Sequence, residues 1–141
     1  MTYKLTSQMK REEIPVDVLF DREVSCFEAI VEYLKEKRKL SYRQIAMLTN
    51  RNDRTIWTVH SRARKKRLDT KRVYELKKRA VRVPVGIFID RNVSVLETIS
   101  EYLKDEKHMT YADIAKATNR DDRTIWTVYK RAKEKRSAGA Q

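Results

Sequence analysis

Glycine and proline are nearly missing, with two of each in 141 residues. That leaves little of the turn chemistry a many-stranded β protein needs, whereas the abundance of Lys, Arg, Glu, Leu, Ala and Ile favours helices. A mainly all-α chain is expected. The single cysteine, Cys26, excludes an internal disulfide and reads as a small apolar filler. With no CxxC pair and no His/Cys cluster, neither a metal nor any other cofactor is expected. No apolar run approaches membrane-spanning length, and the opening MTYKLTSQMKREE has no hydrophobic signal region. These absences lead to the expectation of a soluble, cytoplasmic protein without a membrane partner. No Ser/His/Asp set, carboxylate pair or phosphate loop is visible, so no enzyme, catalytic residue or small-molecule substrate is expected either.

Positive charge is what the chain has in excess, at a formal net +13. With 38% charged and 40% hydrophobic residues it can bury only compact cores, and a compact body with that self-repulsion points to a polyanionic partner.

Residues 14–67 repeat as 83–136 without a gap at an offset of 69, and about half of the aligned positions are identical. The densest match, NRxDRTIWTV, spans 50–59 and 119–128. Duplication of one folding unit is the natural explanation, giving two modules joined by a basic linker at 68–82 and followed by a disordered tail at 137–141.

Each copy carries the same helix punctuation. Ser25 with Glu28, and Ser94 with Glu97, form capping boxes that open a first helix of about fourteen residues, in which Phe27, Ile30, Val31 and Leu34 make a buried stripe. Its other face, with Glu28, Glu32 and Glu36 beside Lys35 and Lys37, reads as acidic and solvated. Ser41 with Gln44, and Thr110 with Asp113, open a short second helix that stops at Asn50 or Asn119, residues that tolerate a left-handed backbone. Asp53 and Asp122 are expected to cap the third helix. Its buried stripe is Ile56, Val59 and Ala63 (Ile125, Val128 and Ala132), so Arg54, Thr55, Thr58, Ser61 and Arg62 point elsewhere. The leading IPVDVLF and VPVGIFI segments favour extended strands, through which the two copies could pair.

The charge sits where the third helices are. Residues 51–67 hold seven basic and one acidic residue, 120–136 hold seven and three, and the linker holds six and two, whereas the remaining segments nearly cancel. Complementing a helix dipole accounts for two or three of these cations but not for the cluster, which favours contact with phosphates.

With those residues in view, SYRQIAMLTNRNDRTIWTVHSRARKK and TYADIAKATNRDDRTIWTVYKRAKEK resemble the helix-turn-helix of region four of bacterial primary sigma factors and related regulators. The resemblance covers about 27 residues per copy and rests on Ile45-Ala46, the turn and the third-helix stripe, with Asn-Arg standing where a glycine is common. It implies two tandem three-helix modules, each placing a recognition helix in the DNA major groove. Carried over by position, the base-contacting candidates are Arg54, Thr55, Trp57, Thr58, Ser61 and Arg62, and Arg123, Thr124, Trp126, Thr127, Lys130 and Arg131. The phosphate-contacting candidates are Arg51, Arg64, Lys65, Lys66 and Arg67, and Arg120, Lys133, Lys135 and Arg136. The leading expectation is a nucleoid-associated, sequence-specific transcriptional regulator that binds double-stranded DNA, with a homodimer left open. An architectural DNA-binding protein and an RNA-polymerase-binding adaptor are the alternatives.

Overall fold

The computed structural model describes residues 11–69 and 80–139. In chain order these form strand β1 (Glu13–Pro15), a 3-10 turn (Val16–Leu19) and helices α1 (Cys26–Glu36), α2 (Tyr42–Thr49) and α3 (Asp53–Asp69). The second copy follows with β2 (Arg82–Pro84), a 3-10 turn (Val85–Ile89) and helices α4 (Val95–Asp105), α5 (Tyr111–Thr118) and α6 (Asp122–Gly139). The chain is mainly all-α, as its composition implied.

Side-chain caps set the helix starts. Ser25 and Glu28, Ser94 and Glu97, and Ser41 and Gln44 each satisfy one another's free backbone N–H groups. Thr110 accepts from the Asp113 N–H at 3.1 Å, but the aspartate, one methylene shorter than glutamine, caps in one direction only. Asn52 and Asp121, not Asp53 and Asp122, cap the third helices: their Oδ1 atoms accept from the Thr55 and Thr124 N–H groups at 2.8 and 2.7 Å. Asp53 and Asp122 are instead the first helical residues, where a carboxylate favours the positive end of the helix dipole.

Left-handed residues set the helix ends. Asn50 and Asn119 (φ 58° and 57°) stop α2 and α5, as their type suggested. Lys39 and His108 (φ 59° and 55°) do the same beyond α1 and α4, which makes those helices 11 residues long, shorter than the apolar spacing implied. In the other direction, α3 runs on through Leu68 and Asp69, the first two linker positions. Likewise α6 includes Ser137, Ala138 and Gly139, which had been expected in a disordered tail but contain no residue that stops a helix outright. Residues 70–79 of the expected linker, and 140–141, lie outside the described residues.

The IPVDVLF and VPVGIFI segments are extended only up to their prolines. A proline has no N–H with which to continue a ladder, and a 3-10 turn follows each one. The short strands pair with each other, antiparallel, with Ile14 opposite Val83. Flanking bonds run from Val16 N–H to Val81 C=O and from Val85 N–H to Glu12 C=O, at 2.9 and 3.0 Å. Beyond the strands, each 3-10 turn crosses to the other copy: the first packs on α5 and the second on α2. Leu19 and Phe88, which anchor these turns, are fully buried in one hydrophobic core that runs through both copies. The two modules are therefore mutually dependent.

A fault in this core yields a test. Ser100 is fully buried on α4, and its hydroxyl has no hydrogen-bond partner among the described residues, whereas the first copy holds Val31 at the matching position. Ser100→Val should stabilise the protein by about 1 kcal/mol in urea unfolding, because it removes an unpaired buried hydroxyl. A loss of stability would show that the pocket has no room for the methyls.

Candidate nucleic-acid interface

The third helix of each copy divides into two faces. The inner face carries Ile56 and Ala63, or Ile125 and Ala132, buried against the preceding helices, with Val59 and Val128 half-buried. His60 belongs to this face, with its Nδ1 2.9 Å from the Tyr42 hydroxyl and its Nε2 3.3 Å from Glu36 Oε1. In the second copy Tyr129 takes its place and donates to Asp105 Oδ1 at 2.7 Å. Aligning His60 with Tyr129 hid this shared clasp in the sequence. The signal was the matched pair of acids, Glu36 and Asp105, one helix away.

Arg54, Trp57, Thr58, Ser61, Arg62 and Lys65 recur at three- and four-residue spacing on the outer face, as do Arg123, Trp126, Thr127, Lys130 and Arg131. Trp57 and Trp126 are 56% and 45% exposed, too open for a packing role to explain them. The Lys130 ammonium lies 4.6 Å over the Trp126 ring, a cation–π contact that Ser61 cannot make with Trp57. Thr58 and Thr127 donate to the carbonyls of Arg54 and Arg123, which ties down their hydroxyls and leaves their methyls free. Thr55 is exposed and Thr124 half-buried at the start of this face. Beside it Tyr111, Asp122, Arg123, Trp126 and Thr127 line a shallow, open cleft.

The cations expected to hold phosphates fall into three groups. Arg64 and Lys65 are exposed and, among the described residues, form no ion pair. Lys66, Arg67, Lys133, Lys135 and Arg136 turn back onto acids of their own copy. Lys66 reaches Glu28 at 2.6 Å, Arg67 bridges Glu32 and Asp21, Lys135 reaches Glu97 at 2.7 Å, and Arg136 spans Glu101 and Asp90 at 3.1 and 2.7 Å. Lys133 contacts Asp105, with Glu101 3.6 Å away. The acidic face of α1 is thus paired rather than solvated, and Glu28 is buried. Periodicity held the clue: Lys66 and Arg67 lie three and four residues beyond Ala63 on the inner stripe.

Arg51 and Arg120 form the third group and point to neither solvent nor acids. Arg51 donates to the Phe88 carbonyl and packs over the Phe27 ring at 4.8 Å, and Arg120 donates to the Leu19 carbonyl at 2.6 Å. Asn50 and Asn119 accompany them, donating to the Ile89 and Phe20 carbonyls at 2.9 and 3.0 Å. These four side chains join the copies. The Arg120 guanidinium also meets Cys26 Sγ at 3.2 Å, and burial pushes that thiol above its ordinary pKa, in keeping with its reading as filler.

Burial works to raise the pKa of Glu28 and Glu97, but the Lys66 and Lys135 ammonium groups and the Ser25 and Ser94 N–H groups outweigh it, so both carboxyls titrate below the usual range. A carboxyl whose pKa is lower folded than unfolded contributes stability above its unfolded value, about 4.3, and loses it as the pH falls further. Thermal unfolding should therefore be steady from neutral pH down to about 5 and weaken below that. In Lys66→Met with Lys135→Met the folded-state pKa values rise back toward the unfolded one, so stability at neutral pH should fall while the acid weakening becomes shallower, and an unchanged acid profile would contradict these pairings.

No protein-family model, curated protein or solved structure matches this chain.

Proposed function

We propose that the protein binds double-stranded DNA as a sequence-specific transcriptional regulator, with the outer faces of α3 and α6 entering the major groove. The observation that carries this reading is the partition of cations. Internal acids and carbonyls take up one set, and Arg54, Arg62, Arg64, Lys65, Arg123, Lys130 and Arg131 remain exposed on the third helices without an ion pair among the described residues. Seven like charges left on two helix faces repel one another until an anion neutralises them, and a duplex supplies phosphates at that density. Exposed indoles and threonine methyls between the cations are suited to thymine methyl groups, and Arg54 and Arg123, at the helix starts, to the guanine edge. The resemblance to the sigma region-four class supports the same placement. Such a role belongs at the nucleoid.

Affinity for duplex DNA should fall with salt along a log–log slope no steeper than about −6, the value reached if all seven cations neutralise phosphates. Replacing Arg54 and Arg123 with Ala should cost about 1–3 kcal/mol on a preferred site and narrow its advantage over random duplex. Arg64→Ala with Lys65→Ala should weaken every duplex alike and flatten the slope by about 2, while Lys66→Met should leave the slope unchanged. Fluorescence anisotropy over a salt series reads all three. Equal losses on every sequence for both the Arg54/Arg123 and the Arg64/Lys65 variants would favour the architectural reading, and no duplex binding would favour the polymerase-docking one.

A further inference from the structure

Apart from Arg120 to Cys26, whose equivalent position is the apolar Val95, each polar contact described between the copies has a counterpart displaced by the repeat offset. Asn50 to Ile89 matches Asn119 to Phe20, Arg51 to Phe88 matches Arg120 to Leu19, and Val16 to Val81 matches Val85 to Glu12. The 3-10 turns exchange partners in the same way, and the antiparallel register puts Ile14 opposite its own repeat equivalent, Val83. Reciprocity of this kind belongs to a two-fold axis. A head-to-tail arrangement would join two different surfaces and leave one of each unused.

Granting the DNA reading above, we propose that the chain is a single-chain pseudo-dimer whose duplex target is an imperfect inverted repeat, one half-site for each copy. A duplex has two-fold axes perpendicular to its length, so a protein that presents two equivalent helices about an axis of its own reads the strands in opposite senses. The contacts at the pseudo-axis hold the two third helices in fixed relation, so the half-site spacing is fixed, with centres about one helical turn or a whole multiple of it apart. The halves are unequal because the outer faces differ: Ser61 and Lys65 in the first copy become Lys130 and Glu134 in the second. A true homodimer imposes one reading on both halves, and fusion of the copies removes that constraint.

Selection from a random duplex library with the full chain, followed by anisotropy on inverted and direct arrangements of the enriched half-sites, tests this. The expected result is an inverted repeat of fixed spacing, bound on the order of a hundredfold more tightly than the direct arrangement. In Ser61→Lys with Lys65→Glu the two halves should become more alike. Enrichment of direct repeats, or equal affinity for both arrangements, overturns the pseudo-dimer inference and leaves DNA reading intact. Retention without any motif, or no retention, overturns the sequence-reading proposal and this inference with it.

Discussion

A short 3-10 turn ends with carbonyls that have no partner of their own, and much of this architecture follows from how those carbonyls are satisfied. The acceptors at Leu19 and Phe20 receive Arg120 and Asn119, and those at Phe88 and Ile89 receive Arg51 and Asn50. Each donor pair sits in the tight turn between the second and third helices of the opposite copy. The left-handed asparagine that stops α2 or α5 therefore also directs its amide across the interface, and the next residue extends the bond with a guanidinium. Backbone turn, helix orientation and joining of the copies share the same two residues. Since the third helix starts within three residues of that bond, the joint that holds the copies together also sets where their outer faces lie.

Charge is sorted by the same geometry. Lys66, Arg67, Lys135 and Arg136 continue the inner stripe of their helices and meet a matching set of acids, Glu28, Glu32 and Asp21 or Glu97, Glu101 and Asp90. Glu28 and Glu97 serve two partners each, closing a capping box and holding a lysine through the same oxygen. This latches the far end of the third helix to the start of the first. The basic excess left over faces outward with the tryptophans, and the proposed duplex contact draws on that remainder rather than on the net charge as a whole.

Much of this fold was legible beforehand because the signals were local. Serine caps, asparagine stops and the Ile56–Ala63 stripe each act over three or four residues, and duplication repeats every one of them. What escaped was long-range. Nothing within a few residues of Arg51 shows that its guanidinium ends on Phe88, 37 positions away, so a basic residue beside a basic helix reads as a phosphate contact. The exact repetition of Asn50-Arg51 at Asn119-Arg120 was visible, but a shared role in DNA contact and a shared role in joining the copies leave the same trace in the sequence. The caps at Asn52 and Asp121 were missed by one position, since each is followed by an aspartate equally suited to the task.

Trp57 and Trp126 are the only tryptophans in the chain, and both lie on the outer faces of the third helices. Acrylamide quenching of their fluorescence, with and without saturating duplex, therefore tests the proposed interface most directly. If those faces enter the groove, the quenching constant should fall several-fold when duplex binds and recover when salt releases it. A chain that binds duplex while both indoles stay as open to quencher as before would contradict the account, because its DNA would then lie elsewhere on the molecule.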